Sequence, residues 1–395
     1  MERISPKIGR ATFLPFSLPD ISEEEIAAVV ETLRSNWITT GPKTKQFERE
    51  FAAYLGAGSD TALGISSCTA ALHVALAALN IGPGDEVITT PITFCSTVSV
   101  IEHVGATPIL ADVIPDTLTL DPAAVRAAIT PRTKAIIPVH FAGHPADMGA
   151  ILRIAREHGL YVIEDAAHAL PAAYQGQRVG TIGDFTAFSF YATKNLTTAE
   201  GGMLTGSPEH IARARLLSLH GMDRDAWKRY SAEGSWFYEV IAPGFKYNMT
   251  DIQAALGLVQ LKRLAAMQER RRHIIRQYNE AFAEMGELET PVERLDIEHA
   301  WHLYVLRLNL DRLTIDRARF IEELKARNIG TSVHFIPIHL HPYYREKYSW
   351  KPEDFPIAYR EYQRMLSLPL YPGLSDEDVA TVIATVADVV QQFRV

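Results

Sequence analysis

Cysteine is scarce: only Cys68 and Cys95 occur in 395 residues. That excludes a disulfide framework, and neither residue sits in the paired-cysteine spacing of a metal site, so no metal is expected. Long apolar runs are missing as well, none being long enough to cross a bilayer. The stretch from Met1 to Pro6 carries no apolar signal core, and a cytoplasmic protein is expected. Positive charge is not in excess; the formal net charge is −8. This argues against a general nucleic-acid or anionic-membrane binder, although a local basic pocket can still take an anionic small molecule. There is no internal repeat and no low-complexity linker. No Gly-x-Gly-x-x-Gly follows a first strand, which weakens the case for a dinucleotide-dependent oxidoreductase.

What is present is ordinary for a globular chain, with 47% apolar and 22% charged residues. The length exceeds what one core usually supports, so two units are expected. We read residues 1–255 as a large α/β domain, with an N-terminal arm over 1–20, and residues 256–395 as a smaller C-terminal domain. From about residue 60 apolar runs alternate with helical stretches. Ala62–Ile65, Glu86–Thr89, Pro108–Ala111, Ala135–Pro138, Tyr161–Ile163, Thr186–Phe190 and Gly202–Thr205 read as strands, most of them unbroken apolar runs. That pattern is expected of a mostly parallel sheet with helices on both faces. A long helix is expected from Thr250–Asp251, which offer N-cap chemistry. Beyond it, 301–306 and 329–335 read as strands, and 315–327 and 375–393 as helices.

Chemistry-bearing residues stand where such strands end. Asp165 closes the run Leu160–Ile163–Glu164, and Lys194 follows Phe188-Ser189-Phe190 and precedes Gly201-Gly202. A lysine and an aspartate at the ends of two buried strands match the two handles required by pyridoxal 5′-phosphate (PLP). The amine condenses with the aldehyde, and the carboxylate keeps the pyridine nitrogen protonated so that the ring draws electrons from the substrate carbon. Ser66-Ser67-Cys68-Thr69 lies between a strand and a helix, where free amides and hydroxyls suit a phosphate dianion; taken alone, the same residues would be an ordinary helix cap. Phe94, after the next strand, is placed to lie on a ring, or simply to fill a core. Ser189 stands in an otherwise apolar strand, where a phosphate oxygen would be a suitable partner.

These segments resemble the DegT/DnrJ/EryC1/StrS family of sugar aminotransferases. The resemblance rests on Thr40-Gly41-Pro42-Lys43-Thr44, Pro83-Gly84-Asp85-Glu86-Val87, Glu164-Asp165-Ala166-Ala167-His168-Ala169, Phe188-Ser189-Phe190, Thr193-Lys194-Asn195-Leu196, Glu200-Gly201-Gly202, Tyr247-Asn248-Met249-Thr250-Asp251 and Ser367-Leu368-Pro369-Leu370-Tyr371-Pro372, in family order over nearly the whole chain.

The resemblance implies an aspartate aminotransferase-like fold (PLP fold type I), with pyridoxamine 5′-phosphate (PMP) as the intermediate form of the cofactor. It implies Lys194 as the lysine bound to the cofactor and the proton carrier, and Asp165 as the partner of the pyridine nitrogen. Phe94 matches the stacking aromatic. Cys68, Thr69 and Ser189 match phosphate-binding positions, with Cys68 replacing a more usual small residue. His168 matches a position beside the cofactor. Asn248 matches an asparagine that reaches the phosphate of a second subunit, which implies a homodimer with active sites at the interface. The stretches 164–170 and 220–230 are similar to enzymes that aminate UDP-4-keto sugars of the 4-amino-4-deoxy-arabinose type. Lys228, Arg229 and His334 are then candidate contacts to nucleotide diphosphate or donor carboxylate. The expected reaction is transamination of a nucleotide-linked keto sugar, with glutamate giving 2-oxoglutarate, in aminosugar and glycan biosynthesis. A dehydratase of the same fold is the alternative; such relatives carry histidine where this chain has Lys194. A non-enzymatic regulatory relative is the other.

Overall fold

Apolar runs bounded by turn residues become the strands of one sheet, because only complete burial on both faces satisfies them. The computed structural model describes residues 9–222 and 237–395. Helices α1 (Glu23–Arg34) and α2 (Pro42–Tyr54) come first. Strand and helix then alternate through β1 (Ala62–Ile65), α3 (Cys68–Ala78), β2 (Glu86–Thr89), α4 (Cys95–His103), β3 (Thr107–Leu110), α5 (Pro122–Ala128), β4 (Thr133–Ile137), α6 (Met148–His158) and β5 (Tyr161–Asp165). A short hairpin, β6 (Ala173–Tyr174) and β7 (Gln177–Arg178), precedes β8 (Phe185–Ser189), β9 (Gly202–Gly206) and α7 (Pro208–Ser218).

The main sheet has the order β1-β9-β8-β5-β4-β2-β3. Pairing is parallel from β3 through β8, while β9 runs antiparallel to both β8 and β1. All its strands except β9 therefore point the same way. The residues after β1, β2, β5 and β8 consequently emerge along one edge, the carboxyl edge, where ligands of α/β sheets bind.

Helix α8 (Asp251–Phe282) links the two parts of the molecule. It starts where the sequence predicts: Thr250 caps it, in a reciprocal box with Gln253. Asp251 also caps a second helix. The N-cap of α2 is Gly41, which has no side chain to offer, and Asp251 accepts from the amides of Gly41 (2.8 Å) and Thr44 (2.9 Å) and from the Thr44 hydroxyl (2.7 Å). Such a cap contributes about 1 kcal/mol. The first half of α8, with Ala254, Leu264 and Met267, packs into the core that holds Phe47, Phe51, Phe188 and Phe190. From Ile274 onward it packs into a different core, with Tyr304, Phe320, Leu366 and Val386.

That second unit comprises β10 (Leu288–Glu289), β11 (Ile297–Glu298), β12 (Tyr304–Leu308), α9 (Arg317–Ala326), α10 (Pro342–Tyr348), α11 (Pro356–Arg364), β13 (Met365–Leu368) and α12 (Asp376–Phe393). Strands β10, β12 and β13 form an antiparallel sheet, while β11 pairs back onto β6. Leu14 bridges to Ile329, so the N-terminal arm lies against this unit.

Two expected strands differ. The strand predicted over 301–306 begins only at Tyr304; before it the backbone hooks onto the loop after β4, with the Ala300 and His302 amides donating to Gly143 O (2.9 Å) and Ala142 O (3.0 Å), and Trp301 held at φ 47°. The segment 329–335 makes only isolated bridges, at Ile329 and Ser332, because its neighbours offer single pairings rather than a ladder. No helix among the described residues is long and apolar enough to cross a membrane.

Candidate active site

The four loops leaving the carboxyl edge converge. After β1, Ser67 caps α3 by accepting from the Ala70 amide (3.0 Å), while the Cys68 and Thr69 amides at the helix start meet no acceptor among the described residues. Helix-start amides of this kind present partial positive charge to an anion. Gly202 presses against them: a Cβ there would lie 2.7 Å from Ser67 C and 2.8 Å from Cys68 N. Ser189 pairs with Gly202 across the β8–β9 ladder, which brings its half-buried hydroxyl to the same cradle. The cradle thus fits a phosphate group.

After β2, Phe94 forms the N-cap of α4 and is 58% exposed. Its ring lies 5.9 Å from that of Phe335, which comes from the C-terminal unit. After β5, Asp165 is 5% exposed, and its oxygens accept from the Ala167 amide (3.1 Å) and the Thr97 hydroxyl (2.7 Å). Its neighbour Glu164 faces the other side of the sheet, paired with His140 (2.9 Å), the Gly183 amide (2.8 Å) and the Thr186 hydroxyl (2.7 Å). Strand alternation puts the two acids on opposite faces, and what packs on each face closes one into the scaffold and turns the other to the site.

After β8, the loop turns so that Lys194 lies close enough to Cys68 and Asp165 for their charges to act on it. Its ammonium makes no hydrogen bond among the described residues. Burial, opposed only in part by Cys68 and Asp165, pushes its pKa down to about 8. A lysine in that state is neutral often enough to act as a nucleophile and proton acceptor at ordinary pH.

Three histidines gather around it. His168 packs against His302 (ring centroids 4.4 Å) and stacks on Phe335 (5.7 Å, 21° between planes), and its buried Nδ1 has no partner among the described residues. Burial, then Lys194, holds the His168 imidazole well below its usual pKa; burial and Lys194 likewise take His334 down to about 4. His302 is also pushed well down, first by burial and then by His168. All three are therefore neutral at pH 7. His302 and Asn195 are hydrogen-bonded (3.2 Å), and Asn195 donates to Ala300 O (2.7 Å), so the lysine loop is fastened to the crossing between the two units.

The structure thus brings Cys68, Thr69, Asp165, His168, Ser189, Lys194 and His334 to one place, with Phe94 at its mouth. The Cys68 thiol points away from the cradle toward Asp165 and Ala187 O, leaving its backbone amide for an anion. Asn248 lies beside the cradle's approach: it pairs with Ile65 at the end of β1, and its amide donates to the Thr40 hydroxyl (2.6 Å). Lys228 and Arg229 lie outside the described residues. No group of acidic, histidine or cysteine side chains among the described residues is arranged to hold a metal. The sequence reading did not single out Thr93, Thr97, His302 or Phe335. For Thr93 and Thr97 the four-residue spacing at a helix start was a usable signal; for the other two there was none.

Known proteins resemble this chain over most of its length. The model of the DegT/DnrJ/EryC1/StrS aminotransferase family matches residues 19–387. The spore coat polysaccharide biosynthesis protein SpsC of Bacillus subtilis is 56% identical over 384 residues, 97% of this chain and 98% of SpsC. Among solved structures, the PMP form of Spr1654, a proposed sugar aminotransferase from Streptococcus pneumoniae, superposes with a TM-score of 0.90 at 38% identity, covering 96% of this chain and 99% of the other. Helicobacter pylori PseC, an aminotransferase of pseudoaminic acid biosynthesis, superposes with a TM-score of 0.89 at 29% identity, covering 97% and 100%.

Proposed function

The chain belongs to the DegT/DnrJ/EryC1/StrS aminotransferase family, and on that premise we propose that it moves an amino group from glutamate to a nucleotide-linked keto sugar, a UDP-4-keto sugar in our reading, for the synthesis of an aminosugar-containing glycan. The chain is a PLP-dependent aminotransferase of the aspartate aminotransferase-like fold, with PLP and PMP as the two forms of its cofactor. The observation that carries the reading is the convergence of a desolvated lysine, a buried carboxylate and an anion cradle on one sheet edge.

Bound there, PLP supplies an electron sink that makes a proton next to the amine removable. The rest of the work falls to the chain. The Cys68 and Thr69 amides and the Ser189 hydroxyl would hold the phosphate, a dianion at a helix start. Asp165 would face the ring nitrogen and keep it charged; Phe94 would cover one face of the ring, with His168 beside it. Lys194 would be the residue that holds the cofactor, through its amine. Once released, it takes the proton from the donor carbon and later delivers one to the sugar carbon. It does both only as a neutral amine in one direction and an ammonium in the other, which a pKa near 8 allows. His334, together with Lys228 and Arg229, is our choice for contacts to the nucleotide diphosphate or donor carboxylate.

We also propose that the enzyme is a cytoplasmic homodimer in which Asn248 reaches the partner's phosphate. A lysine at 194 rather than histidine supports transamination over dehydration. The test is to incubate PLP-loaded protein with glutamate and a panel of UDP- and dTDP-keto sugars and to identify products by mass. An aminated nucleotide sugar is expected with at least one UDP-4-keto sugar. Dehydrated products, or none with any member of the panel, would overturn the proposal.

A further inference from the structure

Asp165 is held by more than its own strand. Its Oδ2 accepts from the Thr97 hydroxyl at 2.7 Å, and Thr97 Oγ1 lies 2.7 Å from Thr93 Oγ1. All three side chains are buried, at 2% exposure for Thr93, 0% for Thr97 and 5% for Asp165. The directions of these bonds follow from proton count. An ionised carboxylate only accepts, so the single Thr97 proton goes to Asp165. Thr93 must then donate its own proton to the Thr97 oxygen. Hydrogen bonds aligned head to tail strengthen one another in surroundings of low polarity. On the other oxygen, Oδ1 accepts from the Ala167 amide at 3.1 Å, with the Cys68 sulfur a more distant 3.9 Å away.

The same two threonines bracket Phe94. Thr93 precedes it and Thr97 lies one turn into α4, where the Thr97 amide donates to Phe94 O at 3.2 Å. The loop that carries the exposed aromatic and the acid at the end of β5 are thereby fixed to each other through one hydroxyl.

We propose that Thr97 is a positioning residue that sets the orientation of the Asp165 carboxylate and locks the Phe94 loop to it, with Thr93 fixing the direction of the Thr97 hydroxyl. The inference rests on the PLP site proposed above. Thr97 is fully buried and acts through Asp165 and through the backbone of Phe94. Cys68, by its longer distance, plays a lesser part in the same seat.

The experiment measures the dissociation constant of PLP from purified full-length protein by fluorescence quenching, along with the pH dependence of the bound-cofactor absorbance. Variants are Thr97→Val, Thr97→Ser, Thr93→Val and Asp165→Ala, together with the double variant Thr97→Val/Asp165→Ala. Melting of each apo protein checks the fold. Thr97→Val keeps the shape and loses the donor, so PLP affinity should fall by about tenfold or more and the pH dependence of the absorbance should shift. Thr97→Ser should stay close to the wild type, and Thr93→Val should fall between. On the Asp165→Ala background, Thr97→Val should add little, because the group it orients is gone. The inference is overturned if Thr97→Val matches the wild type in both readouts, if Thr97→Ser is as impaired as Thr97→Val, or if the two losses simply add. Should wild-type protein not take up PLP at all, the reading of the site itself falls; uptake by the wild type with an unaffected Thr97→Val variant removes only the present inference.

Discussion

Two cations, one on β12 and one in the loop after β8, show how differently the fold treats scaffold and site. Arg307 on β12 is 2% exposed. Its guanidinium is ion-paired with Glu289 and Glu361 and donates to Pro115 O at 2.6 Å. Arg364 in turn bonds the same two acids, at 2.7 Å each through separate nitrogens. Burial still pulls the Arg307 pKa down, opposed by Glu289 and Glu361, and the group stays charged. Lys194 is half-buried and receives less compensation, from the charges of Cys68 and Asp165 alone. Its ammonium has no hydrogen bond among the described residues, and its pKa falls to about 8. A cation that only supports structure is matched by acceptors, because an unmatched buried charge is costly. A cation that must give up its proton is left unmatched, and that cost is what makes it reactive.

The comparison can be broken at several points. The largest effect is expected on chemistry: Lys194→Met should lower turnover by at least roughly 10²–10⁴-fold. Intact-mass measurement after borohydride reduction should then show no cofactor attached to the chain, and a retained mass increase would move the attachment to another amine. The next largest effect is on stability. Arg307→Met removes one of the cations shared by Glu289 and Glu361, which keep Arg364, and urea unfolding should report a loss of about 2–3 kcal/mol, with PLP capture intact in the folded fraction. A loss well under 1 kcal/mol would mean the two cations are not treated differently. In the same assay, apo Lys194→Met should stay within about 1 kcal/mol of the wild type or exceed it, since the methionine replaces an unpaired ammonium.

The smallest effect is a pH dependence. The folded pKa of Lys194 is depressed below its ordinary 10.5, so between about 8 and 10.5 the unfolded chain binds a proton that the native one does not. Stability of the apo protein should therefore rise with pH across that window, the cost being fully present below it. This contribution should vanish in Lys194→Met. Covalent capture of PLP by apo protein should accelerate as pH rises toward 8 and level off above it. A capture rate independent of pH between 6 and 9 would contradict the desolvated state of the amine.

Much of the fold was legible because its strands are short, unbroken apolar runs with turn residues between them, and because Thr250, Asp251 and Gln253 spell a helix start that the structure reproduces. The failures lie where long-range pairing decides. Residues 329–335 have the composition of a strand yet find only isolated bridges, and 301–303 are claimed by Gly143 and Ala142 before the strand can begin. In the site, Lys194, Asp165 and the Ser67–Thr69 helix start could be picked out from their places at strand ends. His302 could not, because nothing near it in the chain suggests that it would lie against His168 and hold Asn195.

What the sequence by itself determined is local: which runs are strands, where α3 and α8 start, and which residue types stand at the carboxyl ends of the strands. These follow from periodicity, capping and turn chemistry, which act over a few neighbouring residues. Tertiary structure alone decided that Glu164 is shut into the scaffold while Asp165 faces the site, that Thr97 is the donor on that carboxylate, and that Lys194 is set within reach of Cys68 and Asp165 with its pKa lowered. Burial and electrostatics depend on what the whole chain packs around a group, and no short stretch of residues encodes that.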